Sequence, residues 1–218
     1  MKEFAWIMSL HNIRTSYDAI ISLGAYCQTA YQLKRNNLRT FSAPLDWMIS
    51  SNLANVNILL RNNFKDFMDY NNLIIQDTPN DYSYVITDSL YNIESHHDFP
   101  LVLKDKHPLS SYPIFKEKLN KKIEIFNHVI ASGGRVLFVR MIANYEEVVE
   151  LNSILKQIVK GDFSILIVNF SQDTKVTERF WDIDNVGSVE IIHTFPQRWE
   201  GCDSSWNEIL QGISLTRK

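Results

Sequence analysis

"AIISLGAYCQTAYQLKR", residues 19–35, decides how this chain is read. Its first five residues, AIISL, form an apolar run interrupted only by Ser22, the pattern of a strand covered on both faces. Gly24 lets the chain turn sharply out of that strand. A helix is expected from about Tyr26 to Arg35, closed by Asn36-Asn37. Cys27 then stands in the first turn of a helix, directly after a buried strand. An unperturbed thiol with a pKa near 8.5 is only about 3% thiolate at pH 7. The unpaired N–H groups and positive dipole end of a helix first turn favour the thiolate. Cys27 is therefore a candidate nucleophile. The alternative is a small buried core residue, as most free cysteines are.

The C-terminal half fixes the architecture around that segment. "RVLFVRM" (135–141) reads as a strand, and residues 145–159 as a helix with Asn144 as cap and Glu147 at its third position. "FSILIVNF" (163–170) and "SVEIIHTF" (188–195) read as further strands, and a short helix at 204–213 takes Asp203 as its cap. Between the halves, helices are expected at 52–62, capped by Ser51, and from Pro113 to Gly133-Gly134. Residues 64–111 are weakly periodic, with short strands at "SYVITDS" and "YNIESHH" and turns at Pro79-Asn80-Asp81 and Lys106-His107-Pro108. Strand and helix alternation of this kind predicts a single α/β domain over residues 1–218. Its expected form is a three-layer α/β/α fold with a mostly parallel central sheet, Rossmann-like or esterase-like. Ligands in such folds collect at the carboxyl ends of the strands.

Composition excludes several classes. Apolar residues make up 45% and charged residues 22% of 218 residues, which argues against disorder and coiled coil. The net charge of −3, with no basic stripe, argues against nucleic acid as a partner. Two cysteines without Cys/His spacing argue against a disulfide framework or a metal site, and fit a reducing, cytoplasmic setting. "MKEFAWIMSL" at the start has Glu3 inside its basic region and reads as mature sequence. No apolar run approaches the roughly 20 residues of a membrane-spanning helix. There is no glycine-rich phosphate loop, so no cofactor is expected.

A cysteine nucleophile needs a base and a group that orients the base. His97, in "SHHDF", is the candidate base. Asp98, Asp46 in "SAPLDW" and Asp203 are candidate orienting acids, in that order. Backbone N–H groups from Gly24 to Tyr26 are expected to hold an oxyanion. Asp46 is equally a turn former. Arg140, at the end of a buried strand, needs either a carboxylate partner or an anionic ligand. Trp199 and Trp206 flank an acidic residue and read as packing anchors or a lid, with Trp199 a substrate-binding candidate.

These residues converge on a family. "ISLGAYCQTAYQLKRNNLRTFSAPLDWM" (21–48), "NNFKDFMD" (62–69), "SHHDF" (95–99), "RVLFVR" (135–140) and "WEGCDSSW" (199–206) together resemble a bacterial and viral family described as putative papain-like cysteine peptidases. The resemblance implies Cys27 as nucleophile, His97 as base, and a papain-like α+β fold, with the histidine on an antiparallel sheet, as the alternative architecture. The expected function is a thiol-dependent hydrolase or acyl transferase acting on a peptide or small molecule. The alternatives are a non-catalytic glycan- or anion-binding domain using Arg140 and the tryptophans, and a sugar or lipid transferase using Asp46 and Arg140 with Cys27 structural.

Overall fold

The structure is a computed structural model in which residues 10–77, 79–101 and 107–216 are described. The reading of the first nine residues, and Lys106 of the expected turn, lie outside them. The chain opens with α1 (Leu10–Ile13), β1 (Ser16–Tyr17), β2 (Ala19–Ser22) and α2 (Cys27–Arg35). It continues through β3 (Met48–Ile49), α3 (Leu53–Arg61), β4 (Leu73–Ile75), β5 (Ile86–Asp88) and β6 (Ile93–Ser95). Then follow α4 (Tyr112–Ala131), β7 (Val136–Met141), α5 (Tyr145–Ile158), β8 (Phe163–Ser171), β9 (Thr177–Arg179), β10 (Val186–Ile192), α6 (Asp203–Leu210) and β11 (Ser214–Leu215).

The central sheet has the order β2-β7-β8-β10-β9. Its first four strands are parallel, and the edge strand β9 runs antiparallel to β10. The mostly parallel sheet is thus present. Alternation along the buried strands sorts side chains to two faces. Ile21, Phe138, Ile165 and Ile167 share one core with Phe115, Leu119 and Phe126 of α4 and with Val148, Leu151 and Leu155 of α5. Ile20, Leu137, Val139, Leu166 and Val189 share the other with Leu33 of α2 and with Trp206 and Ile209 of α6. Each fully buried aliphatic or aromatic side chain stabilises the fold by about 1.5–3 kcal/mol, so both layers are held firmly.

A second sheet, β3-β6-β5-β4, is antiparallel throughout. Its inner residues Met48, Ile86 and Ile93 join the core of α4 and α5. The parallel layers of one expectation and the antiparallel sheet of the other therefore coexist in one α/β chain. The short strands expected within 64–111 are β5 and β6. Their partners β3 and β4 have two and three residues, too few for a period to show.

Two caps differ from expectation. The cap of α3 is Asn52, whose side chain accepts from Ala54 N, one residue after Ser51. The cap of α6 is Cys202, because Asp203 already lies inside the helix and turns its carboxylate to Gln32, Arg35 and Arg198. The capping box of Asn144 and Glu147 at the start of α5 is formed as read.

Candidate active site

The site begins with the turn between β2 and α2. Gly24 and Ala25 are both left-handed, with φ of 77° and 82°. A two-residue left-handed step turns the chain abruptly, and a non-glycine at such an angle needs outside support. Ser50 supplies it, since Ala25 N donates to Ser50 Oγ at 3.1 Å and Ser50 N donates to Ala25 O at 3.0 Å. A side chain on Gly24 would strike Ser50 Oγ at 2.7 Å, so that position requires glycine. Cys27 emerges from this turn as the first residue of α2, and no side chain caps the helix start.

His97 comes from the other sheet, two residues past the end of β6. Cys27 Sγ and His97 Nε2 lie 3.4 Å apart although 70 residues separate them in the chain. The imidazole is held by rings: Tyr82 stacks on it at 5.5 Å and 16°, and Trp47 meets it edge-on at 6.3 Å and 86°. Burial lowers the His97 pKa below its usual value, and the neighbouring Asp98 opposes that shift. Burial raises the Cys27 thiol to about 11, opposed by the N–H of Cys27 itself and reinforced by the charges of Asp46 and Asp98. The resting pair is a neutral thiol beside a neutral imidazole. Such a pair can move a proton from sulfur to nitrogen as the sulfur attacks.

A family model described as "Putative papain-like cysteine peptidase (DUF1796)" matches residues 18–173, a segment that holds both Cys27 and His97. The chain belongs to this family. It is also similar to "Uncharacterized protein R408" of Acanthamoeba polyphaga mimivirus, 27% identical over 221 residues that span 87% of this chain and 96% of that protein. No solved structure matches.

In this family member the pair opens onto a cavity of about 460 Å³ at the carboxyl ends of the central strands. Tyr26, Cys27, Gln28 and Ile49 line one side, and Tyr82, His96 and His97 another. Phe170 at the end of β8, with His193, Phe195 and Trp199 after β10, completes the wall. Tyr26 and Trp199, expected as substrate-binding residues, both line this cavity. Sequence reasoning missed Gln28, Tyr82, Phe170 and Phe195. Phe170 and Phe195 were accessible through the strand-end rule, since one closes β8 and the other follows β10. Gln28 is nearly fully buried, and its Nε2 has no hydrogen-bond partner and lies on the side of Gly201, where an added Cβ would strike it. Among the described residues no cluster of three or more His, Cys, Asp or Glu could hold a metal ion.

Other expected site residues have different duties. Asp98 Oδ2 accepts from Ser95 Oγ at 2.6 Å, so Asp98 acts on His97 through charge. Asp46 is buried and accepts from Arg39 Nε at 2.7 Å and Ala43 N at 3.0 Å, which makes it a structural carboxylate of the Trp47 turn. Arg140 is fully buried and donates to Leu23 O, Ser50 Oγ and Ser50 O. It grips the chain behind the Cys27 turn, and its hydrogen bonds run to carbonyls and a hydroxyl in place of the expected carboxylate. A transferase site carried by Asp46 and Arg140 loses its two charged groups to these internal contacts. Of the expected oxyanion donors, Gly24 N and Ala25 N already donate to Ser22 Oγ and Ser50 Oγ. Gly24 is not among the described residues that line the cavity. Asp203 is engaged by Gln32, Arg35 and Arg198 and is removed from His97 duty.

Proposed function

We propose that this chain is a thiol-dependent hydrolase or acyl transferase with Cys27 as nucleophile and His97 as general base. The observation that carries this reading is the 3.4 Å approach of Cys27 Sγ to His97 Nε2 in the wall of a cavity. Sγ attacks a substrate carbonyl while its proton passes to Nε2, giving a tetrahedral oxyanion. The N–H groups at the start of α2 are the oxyanion donors in this reading. Collapse of the intermediate expels the leaving group, which takes the proton from His97 and leaves an acyl thioester. Water or a second acceptor then releases the acyl group with His97 as base again.

Burial of the thiol also supports a second reading, a non-catalytic binding pocket lined by aromatic rings. Acylation separates the two. The Cys202→Ser protein, treated with 4-nitrophenyl acetate, should carry one acetyl group on Cys27 and show a burst of nitrophenolate. Cys27→Ala should abolish both, and His97→Ala should slow acylation by about 100-fold or more. An undiminished burst in Cys27→Ala would sink the hydrolase reading.

A further inference from the structure

Resting on that hydrolase reading, the geometry points to an uncharged acyl substrate whose aromatic or long apolar side chain fills the cavity beside Cys27. Phe195, Tyr82 and Trp199 are 63%, 55% and 45% exposed, yet all three turn to one cavity with the buried Cys27 in its wall. Single exposed rings are ordinary on a protein surface, but a convergent set around a concave site marks a place where apolar surface is to be covered. The rings are also organised among themselves. His193 lies against Phe170 at 4.3 Å and stacks with Phe195 at 6.5 Å and 25°, and Trp199 is braced edge-on by Tyr31 at 5.3 Å.

Charge points the same way. Among the described residues no Asp, Glu, Lys or Arg lines the cavity, and its titratable groups apart from Cys27 and the tyrosines are three histidines. One of these, His96, is already paired with Glu94 at 2.8 Å. A charged side chain entering this space would lose its water and find no counter-charge, whereas an aromatic one would exchange water for ring contacts. Three wall residues, His193, Phe195 and Trp199, lie beyond the segment matched by the family model. The specificity assigned here therefore belongs to this chain's own C-terminal part rather than to the shared Cys-His pair.

The test uses N-acetyl-phenylalanine, N-acetyl-lysine and N-acetyl-aspartate chloromethyl ketones on the intact protein, with rates read by peptide mass at each cysteine. Alkylation forms a bond from sulfur to the methylene carbon, breaks the carbon–chlorine bond with loss of chloride, and passes the thiol proton to His97. Cys202, outside the cavity lining, reports the intrinsic reactivity of each reagent. The phenylalanine reagent should modify Cys27 about tenfold faster than either charged one after that correction, within the range a shaped apolar pocket discriminates. Trp199→Ala, a change at a half-exposed ring, should reduce that preference to about threefold or less. Equal rates at Cys27, or a preference for a charged reagent, overturn the proposed substrate class and leave the nucleophile in place. Absence of alkylation at Cys27 by all three reagents overturns the hydrolase reading and the substrate class with it.

Discussion

The indole of Trp47 meets the imidazole of His97 edge-on, with ring centroids 6.3 Å apart at 86°. The same indole lies under the Arg39 guanidinium at 5.8 Å, and Arg39 is held by the buried Asp46 at 2.7 Å. Trp47 itself has a left-handed φ of 66°, which a bulky residue adopts only when its surroundings impose it. Asp46 therefore reaches His97 through Arg39 and Trp47. It positions the ring wall and does not touch the imidazole.

That chain of contacts predicts different outcomes at its two ends. Arg39→Ala leaves a buried carboxylate without its cation, and urea unfolding should show a loss of about 3 kcal/mol. Asp46→Asn keeps a polar group in place and should cost less. Its Cys27 acylation should fall by roughly tenfold at most, against about 10⁴-fold for loss of a carboxylate hydrogen-bonded to a catalytic imidazole. A loss near the larger figure would return Asp46 to the catalytic group.

The two cysteines should titrate in opposite directions. Hydrogen bonds from Ser204 and Ser205 pull Cys202 down to about 7, while burial pushes Cys27 up to about 11. Iodoacetamide should modify Cys202 first, with a midpoint near neutrality, and Cys27 should gain rate up to strongly alkaline pH. A folded pKa above the unfolded value of about 8.5 means the stabilisation is complete below that pH and is lost as pH rises toward the folded pKa. Wild type should accordingly lose stability relative to Cys27→Ala across the alkaline range. Faster labelling of Cys27 than of Cys202 at pH 7 would show an activated thiolate in place of the neutral pair.

The helix and strand of residues 19–35, and the alternation after residue 135, were legible because long apolar runs impose a period that packing must respect. Cys27 and His97 were legible as residue types at strand and helix ends. Their distance was not, since a 70-residue separation carries no spacing signal. The hydrogen-bond partners of Asp98 and Arg140 were not legible for one reason. Sequence shows that a charged group needs a partner, but not that Ser95 or the carbonyls of Leu23 and Ser50 supply it. Gln28 gave no signal at all, because an amide one residue past a cysteine is ordinary until its burial is known.

Asp98 should set the acid limb of activity. His97 accepts a proton only when neutral, and burial holds its pKa below 6.5, so acylation should fall only at pH values below that. The Asp98 charge raises the pKas of both His97 and Cys27. Asp98→Asn should move the acid limb to lower pH and also bring Cys27 alkylation to lower pH, with a rate change under about tenfold at neutrality. A shift of the acid limb upward would contradict the arrangement.

Arg140 offers the sharpest division between structure and binding. It is fully buried, and burial draws its pKa down to about 9, so it remains a cation at neutral pH. It has no carboxylate partner among its hydrogen bonds, which run to Leu23 O at 2.9 Å, Ser50 Oγ at 3.0 Å and Ser50 O at 2.6 Å. Ser50 Oγ also accepts from Ala25 N, so Arg140 and the left-handed turn before Cys27 share one anchor. Arg140→Met removes the cost of a buried cation but takes the side-chain donor from Leu23 O and Ser50 O, while Ser50 Oγ keeps the Ala25 N–H. Unsatisfied buried acceptors cost about 1–3 kcal/mol each, so a net loss of about 2 kcal/mol is expected in urea unfolding. Cys27 alkylation by a neutral reagent should change as the turn loosens, with no difference between neutral and anionic reagents. A variant of unchanged stability that loses affinity only for anionic ligands would make Arg140 a binding residue after all.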